Sequence, residues 1–223
     1  MAEQTPFAAV EFASNPEPRC PLVLLLDVSG SMAGAPIREL NDGLQSLQMD
    51  LLGDSLASQR VEVSIITFGG TVQTVTPFVT AAQFFPPTLV TSGDTPMGQA
   101  IRSGIEAVTE RKKLYRQNGV HFYRPWIFLI TDGGPTDSWK TAADQVKAGE
   151  QAKAFSFFSV GVESADFDVL SQISTLRVPL KMKGLNYREL FVWLSQSMRS
   201  VSQSQLGQEE QVKLASPLGW ANP

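Results

Sequence analysis

The stretch Pro21-Leu22-Val23-Leu24-Leu25-Leu26-Asp27-Val28-Ser29-Gly30-Ser31 decides the fold. Its first six residues form a short, unbroken apolar run bounded by turn residues. That is the pattern of a strand buried on both faces of a parallel sheet. A carboxylate follows at the strand's carboxyl end, then small hydroxyl and glycine residues. In open α/β sheets this edge is where ligands bind.

Downstream, Ile37, Leu40, Leu44, Leu47 and Leu51 keep a three-four spacing, so one stripe of a helix packs on the sheet. Val61 to Phe68 (VEVSIITF) predicts a second strand. Val72 to Val79 predicts a third, joined by Gly69-Gly70 and so antiparallel to the second. Met97, Ile101, Ile105 and Val108 mark another helix, and Trp126 to Thr131 (WIFLIT) and Ala154 to Val160 (AFSFFSV) two more buried strands. A helix over Phe167 to Ile173 and a strand over Val178 to Met182 follow. A last helix carries Leu190, Phe191, Leu194, Met198 and Val201 on one face. The alternation predicts an α/β fold, Rossmann-like and doubly wound, with a mostly parallel sheet, one antiparallel edge strand and helices on both faces.

The chain has 223 residues, 43% of them hydrophobic, enough for one core. Residues 1–18 read as an N-terminal extension, 19–202 as the domain and 203–223 as a flexible tail, where the helical period is lost. The net charge of −4 offers no general attraction to nucleic acid or anionic lipid. The one basic run, Arg111, Lys112, Lys113 and Arg116, reads as a solvated helix end that complements the helix dipole. Cys20 is the only cysteine, which excludes an intramolecular disulfide and a multi-cysteine zinc site. No basic leader and no stretch of about 18 apolar residues is present, so a cytoplasmic location without membrane contact is expected.

Three segments carry chemistry. Asp27-x-Ser29-x-Ser31 is modest alone, arising by chance in roughly one chain of this length in fifteen or twenty. Its position at a strand end sharpens it, although Asp and Ser also favour ordinary turns by bonding their own backbone. Thr131-Asp132-Gly133-Gly134 closes the WIFLIT strand and puts a second carboxylate at the same edge. Two carboxylates ending two buried strands both need counter-charge or solvent. Thr95 in SGDTPMG resembles a helix N-cap followed by proline at the first helical position, a role compatible with facing the sheet edge.

Together DVSGS, the GDTPMG threonine and the TDGG aspartate resemble the metal-ion-dependent adhesion site of von Willebrand factor type A domains, over about Pro21 to Ser202. The stretches IITFGG, RPWIFLITDGGPTD and FVWLSQSM look most similar to bacterial members associated with tellurite resistance. The resemblance implies direct hydroxyl ligands from Ser29 and Ser31. It implies that Thr95, Asp27 and Asp132 act directly or through water. An all-oxygen set suits a hard divalent cation, Mg²⁺ first, with Mn²⁺ or Ca²⁺ as alternatives. Neutral hydroxyls leave the cation electrophilic, with a position for an outside carboxylate. The implied function is metal-dependent binding of a protein partner that offers Asp or Glu, such as a kinase or phosphatase of the same stress system. The alternative is a Mg²⁺-dependent phosphoryl hydrolase with Asp27 as nucleophile, but Ser29 stands where such enzymes usually carry a second aspartate. No enzyme is expected.

Other candidates weigh less. Asp94 reads as a solvated loop residue that would otherwise add a third negative charge. His121, the only histidine, lacks partners for a zinc or catalytic role. Trp139 suits either a partner contact beside the metal or core packing at a helix start. Glu209 and Glu210 are tail carboxylates able in principle to reach the cation.

Overall fold

A computed structural model describes residues 12–162, 164–208 and 211–222. In chain order the elements are β1 (Cys20–Asp27), α1 (Ala35–Leu52), α2 (Ser55–Arg60), β2 (Val61–Gly69), β3 (Thr71–Thr80) and α3 (Met97–Gln117). They continue with β4 (Trp126–Thr131), α4 (Lys140–Gln151), β5 (Ser156–Gly161), α5 (Phe167–Ile173), β6 (Leu180–Met182), α6 (Tyr187–Gln203) and β7 (Ala221–Asn222). The seven strands form one sheet in the order β3-β2-β1-β4-β5-β6-β7. β1 lies parallel to both neighbours, with Asp27 opposite Phe68 and Leu26 opposite Ile130.

β1 shows why its apolar run is unbroken. Leu22, Leu24 and Leu26 face one layer, where Leu40, Leu44 and Leu47 of α1 and Leu190, Phe191 and Leu194 of α6 pack. Val23 and Leu25 face the other, with Met97 and Ile101 of α3 and Val146 of α4. Side chains alternate across a strand, so a strand covered on both sides must be apolar at every position. The fold is the expected mostly parallel sheet with helices on both faces.

β3 is the expected antiparallel edge strand. β7 adds an antiparallel pairing at the other edge, Lys181 with Asn222 and Met182 with Ala221. It comes from the segment read as a flexible tail. Trp220, only 2% exposed, anchors it there, its ring 5.5 Å from that of Trp193. The Trp193 indole N–H donates to the Ala215 carbonyl at 2.7 Å. Burying one tryptophan removes enough apolar surface from water to order a short polar stretch.

Lys113 and Arg116 of the basic run are exposed, as a solvated helix end should be, but Arg111 and Lys112 depart from that reading. Arg111 is 7% exposed and, with Arg19, closes on the fully buried Glu62 under the amino ends of the strands. Arg19 donates to Glu62 at 2.9 Å and Arg111 at 2.8 and 2.9 Å, and the Tyr115 hydroxyl donates to the same carboxylate. Phe12 lies over both guanidinium groups. Lys112 donates to the Ala154 carbonyl at 2.9 Å. Arg111 faces inward because a buried carboxylate has to be paired.

Two features position the candidate site. The carboxyl ends of β1, β2 and β4 lie side by side. Between β3 and α3 the chain runs from Phe84 to Pro96 without helix or strand, pinned to α1 by side chains. Asn41 accepts from the Leu89 amide at 2.8 Å and donates to the Leu89 carbonyl at 3.0 Å, and Gln48 donates to the Phe84 carbonyl at 2.6 Å. Among the described residues, no helix is long and apolar enough to cross a membrane.

Candidate metal centre

Four of the five predicted residues form one hydrogen-bonded chain at the end of β1 and β4. The Ser29 and Ser31 hydroxyl oxygens lie 3.1 Å apart, and Ser31 donates to Asp132 Oδ1 at 2.7 Å. Asp27 sits beneath them, fully buried. Its Oδ1 accepts from the Ser29 amide at 2.8 Å and its Oδ2 from the Thr131 hydroxyl at 2.6 Å. β1 and β4 are adjacent and in register, which brings the two carboxylates to one edge although they lie over a hundred residues apart in sequence.

Thr95 reaches the same edge through its backbone. The Gly30 amide donates to the Gly93 carbonyl at 2.9 Å and the Ser92 amide to the Val28 carbonyl at 2.7 Å, tying this loop to the one after β1. Gly93 has φ +63°, and a Cβ on it would stand 2.4 Å from the Gly70 Cα, so only glycine fits the crossing. On its other side, the Thr95 amide donates to Thr136 Oγ1 at 3.1 Å and the Thr136 amide donates to the Thr95 carbonyl at 2.9 Å.

Thr95 does not cap α3, contrary to the sequence reading. Pro96 occupies the cap position and makes no side-chain bond there. The carboxylate of Asp137 does the work from across the site, accepting from the Gly98 and Gln99 amides at 2.8 and 2.7 Å. A carboxylate on two free amides of a helix start combines hydrogen bonding with the helix dipole. The Thr95 hydroxyl is left without a capping duty.

Burial raises the pKa of Asp27 above the usual carboxylate value, and the charge of Asp132 adds to that. Hydrogen bonds from Ser29 and Thr131 pull it down. Tyr187, fully buried at the start of α6, is held well above its ordinary value by burial, and the nearby charges of Asp132 and Asp27 add to this. Its hydroxyl donates to the Met32 sulfur at 3.7 Å. Tyr187 therefore brings no positive charge to the two carboxylates.

The oxygens suit a divalent cation. Adjacent ligands on an octahedral ion with bonds near 2.1 Å lie about 3.0 Å apart. The spacings of 3.1 Å between Ser29 and Ser31 and 2.7 Å between Ser31 and Asp132 bracket that value. Among the described residues, no group of three or more His, Cys, Asp or Glu side chains is gathered for a metal, so any cation here depends on the hydroxyls.

The lesser candidates separate clearly. Asp94 is an exposed loop residue whose carboxylate accepts from Thr136 at 3.3 Å. Trp139 packs against the core cluster under α3 and α4, the packing role. His121 is exposed, and its carbonyl accepts from the Arg19 amide at 2.9 Å. Glu209 and Glu210 lie outside the described residues. Thr131 and Asp137 had no part in the predicted site. The one hint for Thr131 was a hydroxyl ending an otherwise apolar strand.

The model of the von Willebrand factor type A domain matches residues 21–179. Comparison with curated proteins finds no match. Among solved structures, proximal thread matrix protein 1 from the mussel byssus, with a zinc-occupied MIDAS motif, aligns with a TM-score of 0.56 at 14% identity. The alignment covers 82% of this chain and 48% of that one, so this chain spans about half of that relative's length. The manganese-loaded Plasmodium vivax TRAP protein gives 0.55 at 18% identity, over 79% of this chain and 73% of that one. The conserved hypothetical protein BatB from Bacteroides thetaiotaomicron gives 0.56 at 18% identity, over 83% and 100%. At these identities the likeness is one of fold.

Proposed function

Because the chain belongs to the von Willebrand factor type A family, we propose that it is an interaction module that captures a partner protein's carboxylate through a divalent cation at the carboxyl edge of its sheet. The continuous run of oxygens from Ser29 through Ser31 to Asp132, above the buried Asp27, carries this reading. Ser29, Ser31 and Asp132 are the direct ligands. Asp27, with both oxygens engaged by the protein, acts through water, and the uncommitted Thr95 hydroxyl completes the set. The bound ion supplies an electrophilic position for an outside oxygen. Mg²⁺ is the first choice for this hard oxygen set, and the zinc and manganese in two relatives support a divalent ion in general.

Binding is favoured over catalysis by the state of Asp27. A fully buried carboxylate that accepts two hydrogen bonds is poorly placed to attack a phosphoryl group. A kinase or phosphatase partner in a bacterial tellurite-resistance or stress system rests on the sequence resemblance alone. The test is titration calorimetry with MgCl₂ and MnCl₂, joined to affinity capture with and without EDTA and with Asp27→Asn. Saturable 1:1 metal binding and capture lost under both treatments are expected. Capture indifferent to EDTA and to the substitution refutes the reading.

A further inference from the structure

We infer that the partner delivers its carboxylate on an extended segment whose neighbouring apolar side chain seats in a neutral cleft beside the metal centre. This rests on the function proposed above and adds a second determinant to the ligand. The cleft, about 270 Å³, lies between the β2–β3 hairpin and the coil leading to Gly93. Val75, Leu89 and Val90 form its apolar walls, and none of its lining residues is charged. Val28 and Ser92 also line it.

Val28 makes the cleft continuous with the metal centre. It stands between Asp27 and Ser29, and its carbonyl accepts from the Ser92 amide at 2.7 Å. One residue of the loop that would hold the cation therefore also lines the cleft. The rim on this side is uncharged and open, with Val90 74% and Val75 38% exposed beside Thr71, Gln73 and Thr88. On the other side Asp94 is exposed and accepts from Thr136, while Asp137 sits on the Gly98 and Gln99 amides with the Arg102 guanidinium 3.8 Å away. A ligand rich in negative charge meets the exposed Asp94 there. One carboxylate beside an apolar side chain satisfies both halves.

Same-face side chains of an extended segment are two residues, about 7 Å, apart. The acidic and apolar positions of the ligand are thus expected two to four residues from each other, at one fixed spacing. Seating a Leu, Ile or Phe side chain strengthens binding by about tenfold to a hundredfold over serine at the same position.

The experiment selects random twelve-residue displayed peptides on the full chain in Mg²⁺, with elution by EDTA. The expected peptides carry Asp or Glu with Leu, Ile, Val or Phe at one fixed spacing. Their synthetic versions lose at least tenfold in affinity when the apolar residue becomes serine. Val90→Asp and Val75→Asp, on the open rim, keep the wild-type Mn²⁺ affinity by calorimetry but no longer discriminate the two peptides. Acidic peptides without a fixed apolar position overturn the inference and leave the metal reading intact. So does discrimination that survives both substitutions, or Mg²⁺-dependent self-association of the free chain that displaces the peptides. Absence of Mn²⁺ binding by the wild-type chain overturns both.

Discussion

At the scale of single residues, Asp27 stands between two demands. The site needs its charge, yet burial penalises that charge and raises its pKa. The folded state therefore holds the proton to a higher pH than the unfolded chain does. Stability from this group is greatest below its unfolded value near 3.8 and falls as pH rises through the raised folded value. At neutral pH Asp27 is a net cost that a cation offsets. Mn²⁺ at a hundredfold excess over its Kd is expected to stabilise the chain by about 2.7 kcal/mol, roughly 5–10 °C in Tm for a domain this size. That gain shrinks as the pH is lowered towards the Asp27 pKa, because proton and metal compete. Asp27→Asn keeps the shape and the acceptor for the Ser29 amide, and its NH2 donates to the Thr131 hydroxyl oxygen, which turns its own proton to the Gly133 carbonyl 3.3 Å away. It should leave the metal-free Tm unchanged or raised while abolishing the Mn²⁺-induced rise, all readable by scanning calorimetry. A wild-type Tm insensitive to Mn²⁺ at pH 7 contradicts this account.

At the scale of elements, the start of α3 depends on a side chain thirty-nine residues away. Asp137 holds the Gly98 and Gln99 amides, and the turn carrying it approaches so closely that a Cβ on Gly98 would stand 2.5 Å from the Ser138 carbonyl oxygen. Asp137→Ala is expected to cost about 1–2 kcal/mol in urea unfolding and to weaken metal binding through the loosened Thr95 loop. Elements with dense, regular apolar spacing, such as β1, α1 and β4, were legible in the sequence. α4 was visible only as a helix start at Trp139, because its buried stripe is only Ala142, Ala143, Val146 and Glu150. β7 was not, because two residues carry no period and its pairing depends on Trp220 reaching Trp193. The site divides in the same way. Asp27, Ser29, Ser31 and Asp132 each stand beside a strand end that the sequence marks. Thr131 and Asp137 act on partners 104 and 39 residues distant, and such contacts leave no local pattern.

At the scale of the molecule, the sheet is fastened at both ends by different chemistry. The carboxyl ends gather oxygens for a cation, while the amino ends bury Glu62 between Arg19 and Arg111. Glu62→Ala leaves two buried guanidinium groups without their counter-charge. A loss of about 3–5 kcal/mol is expected, on the order of 10 °C in Tm. Mn²⁺ affinity measured below the lowered Tm should not change, since distant sites act independently. The coil from Phe84 to Pro96 has a consequence for how the chain can be opened. From Phe84 to Leu89 it is held by two side chains of α1 and from Ser92 to Asp94 by backbone bonds to Val28, Gly30 and Gly70, and Val90 projects between these two anchors into solvent. Pro86 and Pro87 protect the bond after Phe85, so an elastase-type protease should nick first beyond Val90. That nick parts β1 through β3 from everything after them, yet the two pieces share the β1–β4 ladder. They should run as two bands in denaturing gels and as one particle in size-exclusion chromatography, and the same bond is where a foreign loop can be spliced in without unmaking the sheet.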